Sequence, residues 1–139
     1  MRKKKILILA GGPSKEREIS FLTAKSVKNE LLKSNFNVKI IDTKKNFVNF
    51  LRNFKPDVVF NALHGQFGED GYIQTILESE KVKYTHSGPL SSSLAMDKVL
   101  SKELFLKNKI LTPKYMTFKF FKKIEKKKLI KDIEKKFQF

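Results

Sequence analysis

The sequence has 139 residues, without cysteine and without tryptophan. Lacking thiols, it can form neither disulfides nor thiolate metal sites. Histidine occurs only at His64 and His86, with no H-x-x-x-H spacing, so no metal site is expected and zinc least of all. No apolar run approaches the roughly 20 residues needed to cross a bilayer, so no membrane partner is expected. The opening Met1-Arg2-Lys3-Lys4-Lys5-Ile6 is basic before apolar, as a signal peptide is. Its apolar stretch is short, however, and Gly11-Gly12-Pro13 leads into charge instead of a small-residue cleavage site. A cytoplasmic protein is expected.

Arginine is scarce too, appearing only at Arg2, Arg17 and Arg52, although Lys and Arg together number 30 and the net charge is +16. Reading of base edges and forked binding of phosphate both favour arginine over lysine. A lysine excess on solvated faces, alongside abundant Asn, Ile and Phe, reads as a bias of the whole sequence. A nucleic-acid partner is therefore not favoured. The length allows one domain, or one domain with the start of another, and a hydrophobic fraction of 40% suffices for a core.

The most informative stretch is Ile6 to Ser20, ILILAGGPSKEREIS. An apolar run ends at Ala10-Gly11-Gly12, and a helical pattern begins near Ile19. Strand, glycine elbow and helix in that order open a βα unit of a parallel sheet. Ligands of such sheets sit beyond the carboxyl ends of the strands. A glycine elbow usually cradles phosphate. Here it carries Glu16 and Glu18, which repel phosphate and suit an ammonium group. Equally, both are ordinary first-turn residues complementing the positive helix end. Neither G-x-G-x-x-G nor a Walker loop is present.

Further along, Ile19, Leu22, Val27 and Leu31 predict one helix face, ended by Ser34-Asn35. Val38–Ile41 predicts a strand with Asp42 at its carboxyl end. A helix is expected over 45–53, burying Phe47, Val48, Phe50 and Leu51, followed by a third strand, Val58–Phe60. This rhythm predicts an α/β fold, a small three-layer sandwich with a mainly parallel sheet. The loop from Asn61 to Gly71 holds three glycines and is of ligand-binding type. A helix over 72–80, a brief fourth strand over 82–84, a short helix over 91–95 and a helix over 98–108 capped by Asp97 follow. Leu111-Thr112-Pro113 reads as a boundary, with Tyr115–Phe118 extended and a lysine-rich covering helix over 121–137.

His64 beside Glu69 and Asp70 allows several readings. No G-x-S-x-G elbow supports a hydrolytic triad with Ser14 or Ser20. A loop that binds a small substrate through His64, and a histidine that merely bonds its own loop, remain equal on pattern alone.

Three motifs then converge. Gly11-Gly12-x-Ser14-x-Glu16-Arg17-Glu18-Ile19-Ser20, His64-Gly65-x-x-Gly68-Glu69-Asp70-Gly71, and Met96-Asp97-Lys98 with Lys102 resemble, in order and spacing, the amino-terminal third of D-alanine–D-alanine ligases, over about 4–118. The resemblance implies an ATP-grasp-related, Rossmann-like first domain. It implies a reaction in which ATP phosphorylates one D-alanine carboxylate and a second D-alanine amine attacks the acyl phosphate, with magnesium in support. By position, Glu16 matches the glutamate that holds the first D-alanine's ammonium. Ser20 matches a substrate-binding serine beside it, and His64 the histidine near the substrate carboxylate. Lys98 matches a lysine facing the ATP phosphates.

The family's chains are much longer. Their first central-domain ATP lysine, serine loop, tyrosine, oxyanion-hole arginine and magnesium ligands have no counterpart here. The resemblance therefore implies domains of 1–113 and 114–139, the second being the opening of an ATP-grasp domain, and no ligase activity from these residues alone. A D-alanine–D-lactate ligase would share the same motifs, and a basic nucleic-acid-binding α/β module is the rival from another class. A regulatory subunit pairing with a complementary half is a further alternative. The apolar Phe118, Phe120, Phe121, Ile133 and Phe137 are expected to lack their partner, leaving the tail mobile or self-associating, and a homodimer is among the expected states.

Overall fold

A computed structural model of the chain describes residues 2–118 and 125–138. By compactness the chain divides into two units, Met1–Asp97 and Lys98–Phe139.

The first unit is built on a three-stranded sheet of order β2-β1-β3, all parallel. The strands are β1 (Lys5–Ala10), β2 (Asn37–Asp42) and β3 (Val58–Asn61). Registers pair Ala10 with Asp42 and Leu9 with Asn61, so the three carboxyl ends lie side by side. Strand β1 is central, and its Leu7, Ile8 and Leu9 are fully buried, each worth about 1.5–3 kcal/mol relative to exposure. Period-two alternation divides them between the faces. Leu7 and Leu9 pack with Phe47, Leu51 and Phe54 of α2 (Phe47–Phe54) and with Ile73 and Leu77 of α3 (Tyr72–Ser79). Ile8 and Ala10 pack on the opposite side with Ala24, Val27 and Leu31 of α1 (Arg17–Lys33). Three layers result, as expected.

The crossover from β1 to β2 and the crossover from β2 past β1 to β3 run in opposite directions across the sheet, so a common handedness puts α1 and α2 on opposite faces. The helix after β1 and the helix after β3 thus diverge to opposite sides. A crevice between two neighbouring strand ends follows from that divergence, and it lies between the loops after β1 and β3.

Several elements differ from the sequence expectation. In α1 the buried face is Ser20, Ala24, Val27 and Leu31. Ile19 and Leu22 point outward, 54% and 62% exposed. Small residues at positions 20 and 24 let the helix lie close on the sheet, and they carry no apolar signal. The fourth strand is reduced to one parallel bridge, Val59 to Tyr84. Helix α2 starts at Phe47, because the Asn46 side chain accepts from the Asn49 N–H and caps it there. Helix α4 (Pro89–Met96) starts earlier than 91, with Pro89 in its first turn.

The second unit contains α5 (Lys98–Lys107) and α6 (Lys126–Phe137). Lys102 Nζ donates to Thr112 Oγ1 at 2.8 Å and to the Pro113 carbonyl at 2.7 Å, tying α5 to the segment that follows it. It also lies over the Tyr115 ring, as does Lys136 of α6. Leu129, Ile133 and Phe137 form a half-buried stripe on α6, while Phe118 and Ile130 are largely exposed. The first residues of the expected covering helix, with Phe120 and Phe121, lie outside the described residues.

Candidate functional site

The elbow after β1 is shaped by Gly11 and Gly12, both at φ +74°, a backbone that favours glycine. Their N–H groups are consumed internally. Gly11 N–H donates to Ser20 Oγ at 2.8 Å, and Gly12 N–H donates to Asp42 Oδ1 at 3.2 Å. With both donors spent and a carboxylate beside them, the elbow cannot cradle a phosphate on its glycines.

Ser20 is 1% exposed. Its hydroxyl donates to the Ala62 carbonyl at 2.8 Å while accepting from Gly11. It joins the ends of β1 and β3 through α1 and has no hydrogen left for a substrate. Its placement is that of a brace between the two strand ends.

Arg17 and Asp42 fasten the elbow to β2. Arg17 Nη1 donates to Asp42 Oδ1 at 2.9 Å and to the Gly12 carbonyl at 3.1 Å, and Nη2 pairs with Asp42 Oδ2. Asp42 also accepts the Lys44 N–H at 3.0 Å. Arg17's hydrogen bonds hold the Asp42 carboxyl far below the ordinary carboxylate range, against an opposing push from burial. The same pair raises the Arg17 guanidinium.

Glu16 has a different environment. It is exposed, and its carboxylate makes no hydrogen bond or ion pair among the described residues. The side chain reaches across to the second loop, where its Oε2 covers the Cα of Gly65 so closely that a Cβ there would collide with it. Ser14 Oγ lines the same spot and accepts the Glu16 N–H at 3.1 Å. Glu18 is exposed in the first turn of α1.

The second loop is held by its own acids. Gly65 N–H donates to Glu69 Oε2 at 2.9 Å, and Asp70 accepts from the Phe67 and Tyr72 N–H groups at 2.9 and 3.1 Å. Beneath it, buried Asn61 donates to the Gly68 carbonyl and to His86 Nδ1, and accepts from the Leu63 N–H. Buried Gln74 gives the Gly68 carbonyl a second donor. His64 is half-buried, with Nε2 3.0 Å from Thr23 Oγ1 on α1 and Nδ1 3.8 Å from Glu69 Oε1. The fold therefore brings Glu16 over Gly65, the chain neighbour of His64, while Ser20 braces the ends of β1 and β3.

Lys98 opens α5 in the second unit and is exposed. Among the described residues, no group of three or more His, Cys, Asp or Glu side chains is arranged to hold a metal ion.

Residues 48–87 match the family model "D-ala D-ala ligase N-terminus". The match spans α2, β3 and the second loop. Over these residues the chain is similar to the amino-terminal domain of D-alanine–D-alanine ligases. Over 98% of its length the chain is 60% identical to a D-alanine–D-alanine ligase of Pelagibacter ubique, of which it covers 44%. It is 46% identical to a Rickettsia bellii ligase over 78% of its length, covering 34% of that protein. The chain thus spans less than half of these relatives. In fold it matches a D-alanine–D-alanine ligase of Bacillus anthracis crystallised with ATP, with a TM-score of 0.77, 30% identity and coverage of 92% of this chain and 44% of that one. The Coxiella burnetii ligase, 23% identical with a TM-score of 0.81, shares the fold over 98% of the chain and half of its own length.

Arg17, Thr23 and Asn61 were not singled out by sequence reasoning as site residues. For Arg17 a signal was available. In a lysine-rich chain each of the three arginines has an acid partner, with Arg2 near Asp57, Arg17 on Asp42 and Arg52 on Glu80.

Proposed function

We propose that the crevice between the first two loops receives the first D-alanine of a D-alanine–D-alanine ligase reaction. One observation carries this reading. The Glu16 carboxylate stands without a partner among the described residues, over Gly65, beside an elbow whose glycine N–H groups are already spent. Such a place attracts an ammonium group and repels a phosphate. His64, one residue before Gly65, would meet the carboxylate of the same amino acid and offset charge developing there. Ser20 acts by bracing.

The remaining steps follow the family. ATP would activate the first carboxylate, a magnesium ion bound elsewhere in the ligase would supply charge to that phosphoryl transfer, and the dipeptide would be made in the cytoplasm for the cell wall. Lys98 at the first residue of α5 suits an ATP phosphate, since its ammonium and the helix end both favour an anion. No step is assigned to magnesium among the described residues. The division into a substrate domain, 1–113, and the opening of an ATP-grasp domain, 114–139, belongs to the same proposal. A homodimer would cover the outward Ile19 and Leu22 of α1.

Titration of the chain with D-alanine, followed by amide NMR, tests the reading. Saturable shifts are expected at Glu16, Gly65 and His64, weaker with L-alanine and lost in Glu16→Gln. Shifts that are unchanged by Glu16→Gln would refute it. Phosphate release from ATP by these residues alone is expected to be nil, because phosphoryl transfer needs positioning groups that they do not supply.

A further inference from the structure

Glu16 and Arg17 are consecutive, opposite in charge, and stand at the same end of α1. Arg17 is fully engaged. Its fork spans both oxygens of Asp42, it also donates to the Gly12 carbonyl, and its guanidinium carbon lies 4.9 Å from the Phe21 ring centroid. The Glu16 carboxylate has no such partner among the described residues. An unengaged arginine is long enough to fold onto a neighbouring carboxylate, and it would then compete with any cationic ligand for it.

We propose that Asp42 is a positioning residue that sequesters Arg17, and so keeps Glu16 open to an ammonium ligand. The inference rests on the reading of Glu16 as an ammonium receptor. Asp42 is placed for the task by the sheet. It is the last residue of β2, in register with Ala10, so its carboxylate meets the elbow of the adjacent strand. The Lys44 and Gly12 N–H groups fix its oxygens at 3.0 and 3.2 Å, which holds the fork's receptor still. The two carboxylates at this strand edge thereby take different cations. Asp42 takes the protein's own, and Glu16 is left for a ligand.

Four versions of the chain decide the matter: the native chain, Arg17→Gln, Asp42→Asn, and both changes together. Each is first checked for folding by thermal unfolding. D-alanine affinity is then measured by NMR titration. Asp42→Asn should weaken binding about tenfold, because the freed Arg17 occupies Glu16. Arg17→Gln should change it less than about threefold. The double variant should return to the level of Arg17→Gln, a recovery that a purely structural clasp would not give. Equal losses in the two single variants, with none regained in the double, would overturn the proposal.

A second measurement needs no D-alanine. Side-chain NMR of Asp42→Asn should reveal Arg17 guanidinium contacts to Glu16 that the native chain lacks. Their absence would also overturn the proposal. If the native chain ignores D-alanine, the functional reading fails, and the Arg17–Glu16 contact still decides this inference.

Discussion

The Glu16 carboxylate rests on the α-carbon of Gly65, so that the loop after β1 and the loop after β3 close on one another at this side chain. Gly65 has φ +68°, which any other residue would adopt under strain. A Gly65→Ala change therefore has two separable effects. The left-handed backbone is expected to lower stability by about 1–2 kcal/mol, readable as a fall in the urea midpoint. The new methyl meets only the far end of a flexible side chain, so Glu16 swings away and D-alanine shifts should vanish while the fold persists. Gly71 provides the contrast. A Cβ there would lie 2.6 Å from the Pro89 carbonyl, a backbone atom, so Gly71→Ala should cost more stability than Gly65→Ala. The reverse order would contradict this account.

Ser20→Ala tests the brace. It removes the acceptor of the Gly11 N–H and the donor to the Ala62 carbonyl, both buried. Orphaning two such groups should lower stability by about 2–4 kcal/mol in chemical unfolding. A change within about 0.5 kcal/mol would mean that neither bond matters to the fold.

Acid should attack the Arg17–Asp42 clasp at a defined point. The folded Asp42 carboxyl is held below its ordinary value by Arg17, whereas unfolded it titrates near about 3.9. A depressed folded value means that the unfolded chain binds the proton first. The clasp's contribution is thus complete above about pH 5 and is lost as pH falls through about 4 and below. Glu80, lowered in the same direction by Arg52, adds a part that is more exposed to solvent screening. Unfolding midpoints between pH 2 and 6 should show a shallower acid limb for Asp42→Asn than for the native chain. Identical limbs would rule the contribution out.

Much of this was legible in the sequence. Apolar runs at Ile6–Leu9 and Val58–Phe60, the first leading into Gly11-Gly12 and the second into a loop with three glycines, are consistent with parallel strands ending in loops, because burial on both faces leaves no polar alternation. The charge of Glu16 argued against phosphate before the spent N–H groups of Gly11 and Gly12 were known. The orientation of α1 was not legible. Its inward face is led by Ser20 and Ala24, small residues chosen for close approach, while Ile19 and Leu22 carry the apolar signal outward. Nor was the bracing role of Ser20, since a hydroxyl's partners 9 and 42 residues away depend on which strands the sheet sets side by side. The Arg17–Asp42 pairing was hidden for the same reason, although the rarity of arginine marked it.

Because the two loops spring from adjacent strands, β1 and β3, the gap between them is tied to the inter-strand spacing of about 4.8 Å. The two sides of the crevice are accordingly jaws bolted to one sheet, and they cannot part without loosening the pairing of β1 with β3.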